Sequence, residues 1–181
     1  MLLKYKNATL RAIEKKDCEL LLNMMNDIEI EKMTVDSHFP ISLLNQENWI
    51  NNYRNTEETV RLMVELDNHK TIGMVILTGI NYKTRTAELA FKRYAKKEDR
   101  LPDDIFNGCV AMLNYAFNEL GLNCIYCTAL TYNERSLNLQ RKLGFKQEGI
   151  LRQRVFKNGS YQDLVSCSLI RDEFSADVGD K

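Results

Sequence analysis

Two apolar periods run along this chain, and the place where one gives way to the other limits the fold more than any other feature. Residues 60–66 and 71–77 are strand-length apolar stretches separated by the turn residues Asp67, Asn68 and His69, and residues 84–91 supply a third. From Pro102 the spacing becomes helical, with Ile105, Cys109, Met112, Leu113, Ala116, Phe117 and Leu120 on one stripe and Gly121 as the stop. Residues 123–131 return to a strand. Asn133 is then placed to cap a helix running to Leu143 and ending at Gly144. Two last strand-like segments, 146–156 and 161–170, meet across Asn158-Gly159, the dipeptide that favours a type I′ turn.

The N-terminal third is less regular. Thr9 to Ile13 alternates as the end of a first strand, and Asp17 is placed to cap a helix that ends near Asn26. Residues 28–40 read as irregular, and 46–53, carrying Trp49 and Ile50, as a second short helix. The sum is an α/β (α+β) fold: a mixed, mostly antiparallel central sheet of about six or seven strands, flanked by about four helices, with a helix–strand–helix unit near its centre. No repeat or linker divides the chain, so residues 1–174 are expected to form one domain and 175–181 a disordered tail.

Charge and apolar runs exclude several classes of function. Lys plus Arg and Asp plus Glu number 25 each, which leaves no global field for nucleic acid or an anionic membrane. The longest apolar run, 72–77, is far short of the roughly 20 residues that cross a bilayer, and the N-terminus turns polar at once, so the expected location is the cytoplasm. Five cysteines read as reduced thiols, and Cys124 and Cys127, three apart in a strand, point to opposite faces rather than to one zinc ion. His38 and His69 have no partner at ligand spacing, and no metal is expected.

Asn133-Glu134-Arg135-Ser136, Arg141-Lys142-Leu143-Gly144-Phe145, Glu148-Gly149, Leu151-Arg152, Gly159, Tyr161 and Asp163 form a pattern that resembles the C-terminal half of GNAT acyltransferases. More narrowly, it is similar to the branch containing ribosomal-protein N-terminal and spermidine acetyltransferases. Ala87-Glu88-Leu89 and the helix end Asn114 to Leu122 fit the same branch. The resemblance covers roughly residues 84–174 in motif and most of the rest in strand order only.

The resemblance implies transfer of an acetyl group from acetyl-CoA to a primary amine, without a covalent enzyme intermediate. The thioester would enter where the strands ending near Phe91 and Thr131 splay apart. Glu88 would take the proton from the amine, Ser136 would face the departing sulfur, and Phe91, Arg93, Arg100 and Asn133 would bind the coenzyme. Asn133 and Ser136 also read as ordinary helix-capping residues, and Glu88 as a solvated strand residue. Many relatives carry a tyrosine acid seven residues after the asparagine. Here that place is Gln140, which cannot donate a proton, leaving Ser136, Tyr132 or water.

The coenzyme loop of the family, Arg/Gln-x-x-Gly-x-Gly/Ala, corresponds to Arg100-Leu101-Pro102-Asp103-Asp104-Ile105, where Asp103 and Ile105 replace the small residues. Two carboxylates at a helix N-terminus suit its dipole but compete with a phosphate. The basic run containing Lys92, Arg93, Lys96, Lys97 and Arg100 is either a solvated loop or a direct grip on phosphates. The altered loop keeps two other readings open: a GNAT-fold binding protein without catalysis, and an acyltransferase using a carrier-protein donor. Expected partners are a small-molecule amine or a protein N-terminus, and a second copy in a homodimer, with no nucleic acid and no membrane. Trp49, Tyr53, Phe39, Asp36 and Glu31 form either an aromatic, acidic acceptor pocket or ordinary helix packing.

Overall fold

The computed structural model describes residues 3–36, 39–94, 97–99 and 101–175. The expectations for His38, for Arg100 and for the tail beyond Ser175 fall outside these residues. Eight strands form one sheet: β1 (Leu3–Tyr5), β2 (Ala8–Arg11), β3 (Thr59–Leu66), β4 (Thr71–Asn81), β5 (Thr86–Arg93), β6 (Cys124–Leu130), β7 (Lys146–Lys157) and β8 (Ser160–Ile170). Their spatial order is β1-β2-β3-β4-β5-β6-β8-β7, and every pairing is antiparallel except β5 with β6. Among the described residues five α-helices accompany them: α1 (Cys18–Asn26), α2 (Ile28–Met33), α3 (Leu43–Asn52), α4 (Asp104–Asn114, continued by a π-turn over Tyr115–Glu119) and α5 (Glu134–Lys142).

The strand and helix totals thus each exceed the expectation by at least one. The additional strand is β1, too short to show a period. The additional helix is α2, inside the stretch that reads as irregular. It has no apolar stripe of its own, and Ile28 is exposed. Its first turn is held by the Asp27 carboxylate, which accepts from the N–H groups of Glu29 and Ile30 at 2.8 and 3.0 Å. Asp17, by contrast, does not cap α1 with its side chain. Its buried carboxylate accepts from both terminal nitrogens of Arg11 and from the Glu14 N–H, which fastens the end of β2 to the start of α1.

The sheet is covered on both faces, so its central strands read as continuous apolar runs rather than as alternation. Leu62, Val64, Val75, Leu77, Leu89 and Ile125 pack with Cys109, Met112, Leu113 and Phe117 of the α4 segment, whereas Met63, Met74 and Ile76 pack with Leu21 and Met24 of α1. Ile72 lies on the α4 face although strict alternation would place it opposite. The register shift at Val64/Glu65, opposite Gly73, accounts for this. Gly73 has φ 155°, and any side chain there would overlap the Lys92 carbonyl oxygen. That close approach sets the position of the C-terminal end of β5, where the candidate site begins.

Candidate active site

The parallel pairing of β5 and β6 covers only three residue pairs, Thr86 with Cys124, Ala87 with Ile125 and Glu88 with Tyr126. Beyond Glu88 the two strands continue to Arg93 and Leu130 without pairing, so one edge of each leaves its backbone groups available to a ligand. A cavity of about 1370 Å³ opens over this gap, and Glu88, Phe91, Arg93, Asn133 and Ser136 all line it. The five are drawn from 49 positions of chain, and the sheet topology is what brings them to one cavity.

Alternation along β5 divides them between the two sides. Leu89 and Phe91 pack into the α4-facing core, and Arg93 reaches Asp104 at the start of α4. Ala90 packs against the α1-facing core, and Lys92 Nζ lies 3.6 Å from Met25 Sδ, so Glu88, two positions earlier than Ala90, shares that side. Glu88 is half-buried. Thr128 of β6 donates to its Oε1 at 3.4 Å. Burial raises the Glu88 pKa above the ordinary carboxylate value, the Thr128 hydrogen bond opposes the rise, and the negative charge of Asp36 adds to it. Lys92 moves the other way: burial lowers its pKa, with Asp36 opposing and Lys157 and Arg61 reinforcing.

At the mouth of the gap, Asn133 does cap α5, accepting from the Ser136 N–H at 3.1 Å. Its other amide atom donates to the Met33 carbonyl at the end of α2 at 2.8 Å. Tyr132 donates to the Lys32 carbonyl at 3.0 Å, so this phenol fastens α2. Ser136 Oγ accepts from Gln140 Nε2 at 3.3 Å, which leaves the serine proton free to point elsewhere. Gln140 is only 2% exposed, and its Oε1 has no partner among the described residues. Replacing Asn133 by Ala is expected to cost about 0.5–2 kcal/mol through the lost cap. It should also speed amide exchange across α2, measured by urea unfolding and hydrogen exchange; unchanged exchange there would refute the second tie.

The altered loop keeps the backbone shape that glycine would give. Asp103 stands at φ 59°, ψ 16°, a left-handed conformation that Asp tolerates better than most residues. Its carboxylate pairs with Lys142 at 2.5 Å. Asp104 is 1% exposed, accepts from the Ile105 and Leu101 N–H groups at 2.5 and 3.1 Å, and pairs with Arg93 at 2.5 Å. Both carboxylates are therefore matched by cations.

Of the five residues read as an acceptor pocket, Asp36 lines the cavity. Trp49 and Tyr53 stack on each other along α3, with centroids 4.6 Å apart, Phe39 is 92% exposed, and Glu31 pairs with Lys157 at 2.7 Å. Trp49 and Tyr53 thus follow the packing alternative, Glu31 is taken up by its ion pair, and Phe39 fits neither reading. Cys127 is buried on the α4 face while Cys124 is partly exposed, and all five cysteines are free thiols. Burial raises the Cys109 and Cys127 pKa values, keeping both thiols protonated. The sequence does not show Thr128, whose bond to Glu88 needs the β5–β6 register, nor that Arg93 and Asp104, eleven residues apart, pair with each other.

The profile of the acetyltransferase (GNAT) domain matches residues 7–146. The chain belongs to this family. It is 29% identical over 177 residues to an SPbeta prophage-derived N-acetyltransferase, YokL, of Bacillus subtilis, covering 96% of both chains. It is 28% identical over 167 residues to the spermidine N(1)-acetyltransferase of Vibrio cholerae, covering 92% of this chain and 94% of the other. The crystal structure of the Vibrio enzyme with CoA and spermine superposes with a TM-score of 0.82 over 92% of this chain and 97% of the other. The present chain is accordingly a GNAT N-acetyltransferase, an enzyme that moves an acetyl group to an amine. Among its described residues no helix is long and apolar enough to cross a membrane.

Proposed function

We propose that this acetyltransferase works in the cytoplasm on a small primary amine, with acetyl-CoA as donor, by direct attack in a ternary complex. The observation that carries the reading is a half-buried carboxylate of raised pKa, Glu88, standing where β5 and β6 part. An amine is mostly protonated at neutral pH and must lose a proton before it can attack. Glu88 takes that proton. The nitrogen lone pair then forms the C–N bond to the thioester carbonyl carbon, and unpaired backbone groups of the separated strands hold the acyl donor. As the C–S bond breaks, its electrons leave on sulfur, and the acylated nitrogen gives up its second proton to solvent, so that the products are the neutral amide and the thiolate. Ser136, whose oxygen already accepts from Gln140, donates its hydroxyl hydrogen bond to the thiolate. Thiols ionise near pH 8.5, so a hydrogen bond suffices where no tyrosine acid stands.

In this scheme Phe91 lies along the pantetheine arm and Asn133 holds the α2 wall against it. Asp36, beside Glu88, gives a cationic acceptor a second carboxylate. Similarity to spermidine acetyltransferases supports a small amine over a protein N-terminus. Assembly as a homodimer is part of the same proposal, supported by the edge strand β7 with Ile150 and Phe156 exposed. The test is thiol release from acetyl-CoA with a panel of monoamines, diamines, polyamines and N-terminal peptides. Amine-dependent release is expected with the small amines. Release with peptides alone would replace the acceptor, and release with none would overturn the proposal.

A further inference from the structure

We propose that this enzyme recognises its donor by the pantetheine arm and not by a pyrophosphate, because its own Asp104 carboxylate fills the anion seat at the start of α4. The inference rests on the donor being a pantetheine thioester, as proposed above.

A helix N-terminus with exposed N–H groups and a neighbouring guanidinium is the arrangement that proteins offer to a phosphate. All three parts are present here, and Asp104 takes them. Its Oδ1 accepts from the Ile105 N–H at 2.5 Å, and its Oδ2 accepts from the Leu101 N–H at 3.1 Å and from Arg93 Nη2 at 2.5 Å. With 1% exposure the carboxylate has no water to retreat into, so a phosphate oxygen could take its place only by stranding a buried charge.

The charges around the loop agree. Lys142, which also lines the cavity, sits 4.6 Å from the centre of the Phe106 ring and is paired with Asp103 at 2.5 Å. Asp99, on the same cavity wall, faces Lys70 at 3.5 Å. Arg93 and Lys142 are thus paired with Asp104 and Asp103, so the charge that each would offer a pyrophosphate is already answered within the chain. Asp103 in the left-handed region holds the loop in the shape of a phosphate cradle, with a carboxylate as its guest. The pantetheine arm carries no charge, and its amides match the edges of β5 and β6 that no strand pairs with among the described residues.

Free coenzyme A and a carrier-borne phosphopantetheine share this arm, so the test compares donors. Calorimetry on the wild-type protein with CoA and with pantetheine should give dissociation constants within tenfold of each other. The kcat/KM values for acetyl-CoA and S-acetyl-pantetheine with a common amine should agree to the same factor. A preference for the CoA form above tenfold would overturn the proposal while leaving the acetyltransfer reading intact. Asp104→Asn removes the resident charge and releases Arg93, and should shift the donor ratio towards acetyl-CoA by more than tenfold. An unshifted ratio counts against the proposal, and if that variant fails to fold the wild-type ratio decides. An acetylated carrier protein used better than either small donor would support the proposal and identify the source. If neither thiol binds at millimolar concentration, this proposal and the functional reading fall together. If both bind equally but no amine is acetylated, only the functional reading falls.

Discussion

Replacement of Glu88 by Gln is expected to lower turnover at least about tenfold at neutral pH, the low end of what a positioned general base contributes. Gln preserves the shape and the Thr128 hydrogen bond but cannot accept the amine proton. Donor affinity should stay within about twofold, since the residue faces the acceptor side of the sheet. The pH dependence gives a sharper reading. Glu88 acts as a base only when ionised, and burial raises its pKa above the ordinary carboxylate value. The wild-type kcat/KM profile should therefore carry an acid limb displaced upward from where an exposed carboxylate would put it. In the Gln variant that limb disappears, while the limb belonging to the amine remains. The linkage has the opposite sign for stability. A carboxyl whose folded pKa is raised favours folding when protonated, and that contribution is lost as pH rises through the folded value. Wild type should thus lose stability relative to Glu88→Gln between acid and neutral pH, as thermal unfolding at several pH values would reveal. Equal activity of the two proteins would remove Glu88 from the mechanism.

How much of this was legible beforehand follows from the range of each interaction. The α4 stripe, the Asn133 cap and the Asn158-Gly159 turn depend on neighbours within a few positions, and each is found where its residues put it. Glu88 stands in the short Ala87-Glu88-Leu89 motif, but its raised pKa comes first from burial in the folded sheet and then from Asp36, 52 positions away in sequence, while the Thr128 bond that the β5–β6 register supplies opposes the rise. In sequence Asp103 and Asp104 are two carboxylates that compete with a phosphate. Their partners, Lys142 and Arg93, come from other elements, and pairing gives Asp104 a buried salt bridge and Asp103 an exposed one. The helix α2 could not be read at all, because six residues without an apolar face gain their stability from contacts elsewhere.

Those contacts make the second large effect. Lys157→Met is expected to destabilise the α2 segment by about 3 kcal/mol, the low end for breaking a buried ion pair. In sequence Lys157 immediately precedes the Asn158-Gly159 turn. In the fold its side chain is 2% exposed, and Nζ donates to the Glu31 carboxylate at 2.7 Å and to the carbonyls of Glu31 and Asp36 at 2.6 and 2.8 Å. Met fills similar space without any of these bonds. The two carbonyls then keep only long bonds from Thr34, at 3.3 and 3.4 Å, while Glu31, about one-third exposed, can turn to water, which keeps the cost from rising further. With Tyr132 and Asn133 holding only Lys32 and Met33, the chain from 34 to 36 loses its anchor, and Asp36 leaves the vicinity of Glu88. Hydrogen exchange should therefore accelerate over residues 28–36 while the α4 core stays protected. The amine KM should rise more than the donor KM. Glu31→Gln strands the lysine charge instead, and adding Lys157→Met to it should recover part of that loss, a coupling that a double-mutant cycle measures directly. Additive losses, or exchange that accelerates equally across the whole molecule, would show that Lys157 supports the fold in general and not the wall beside Glu88.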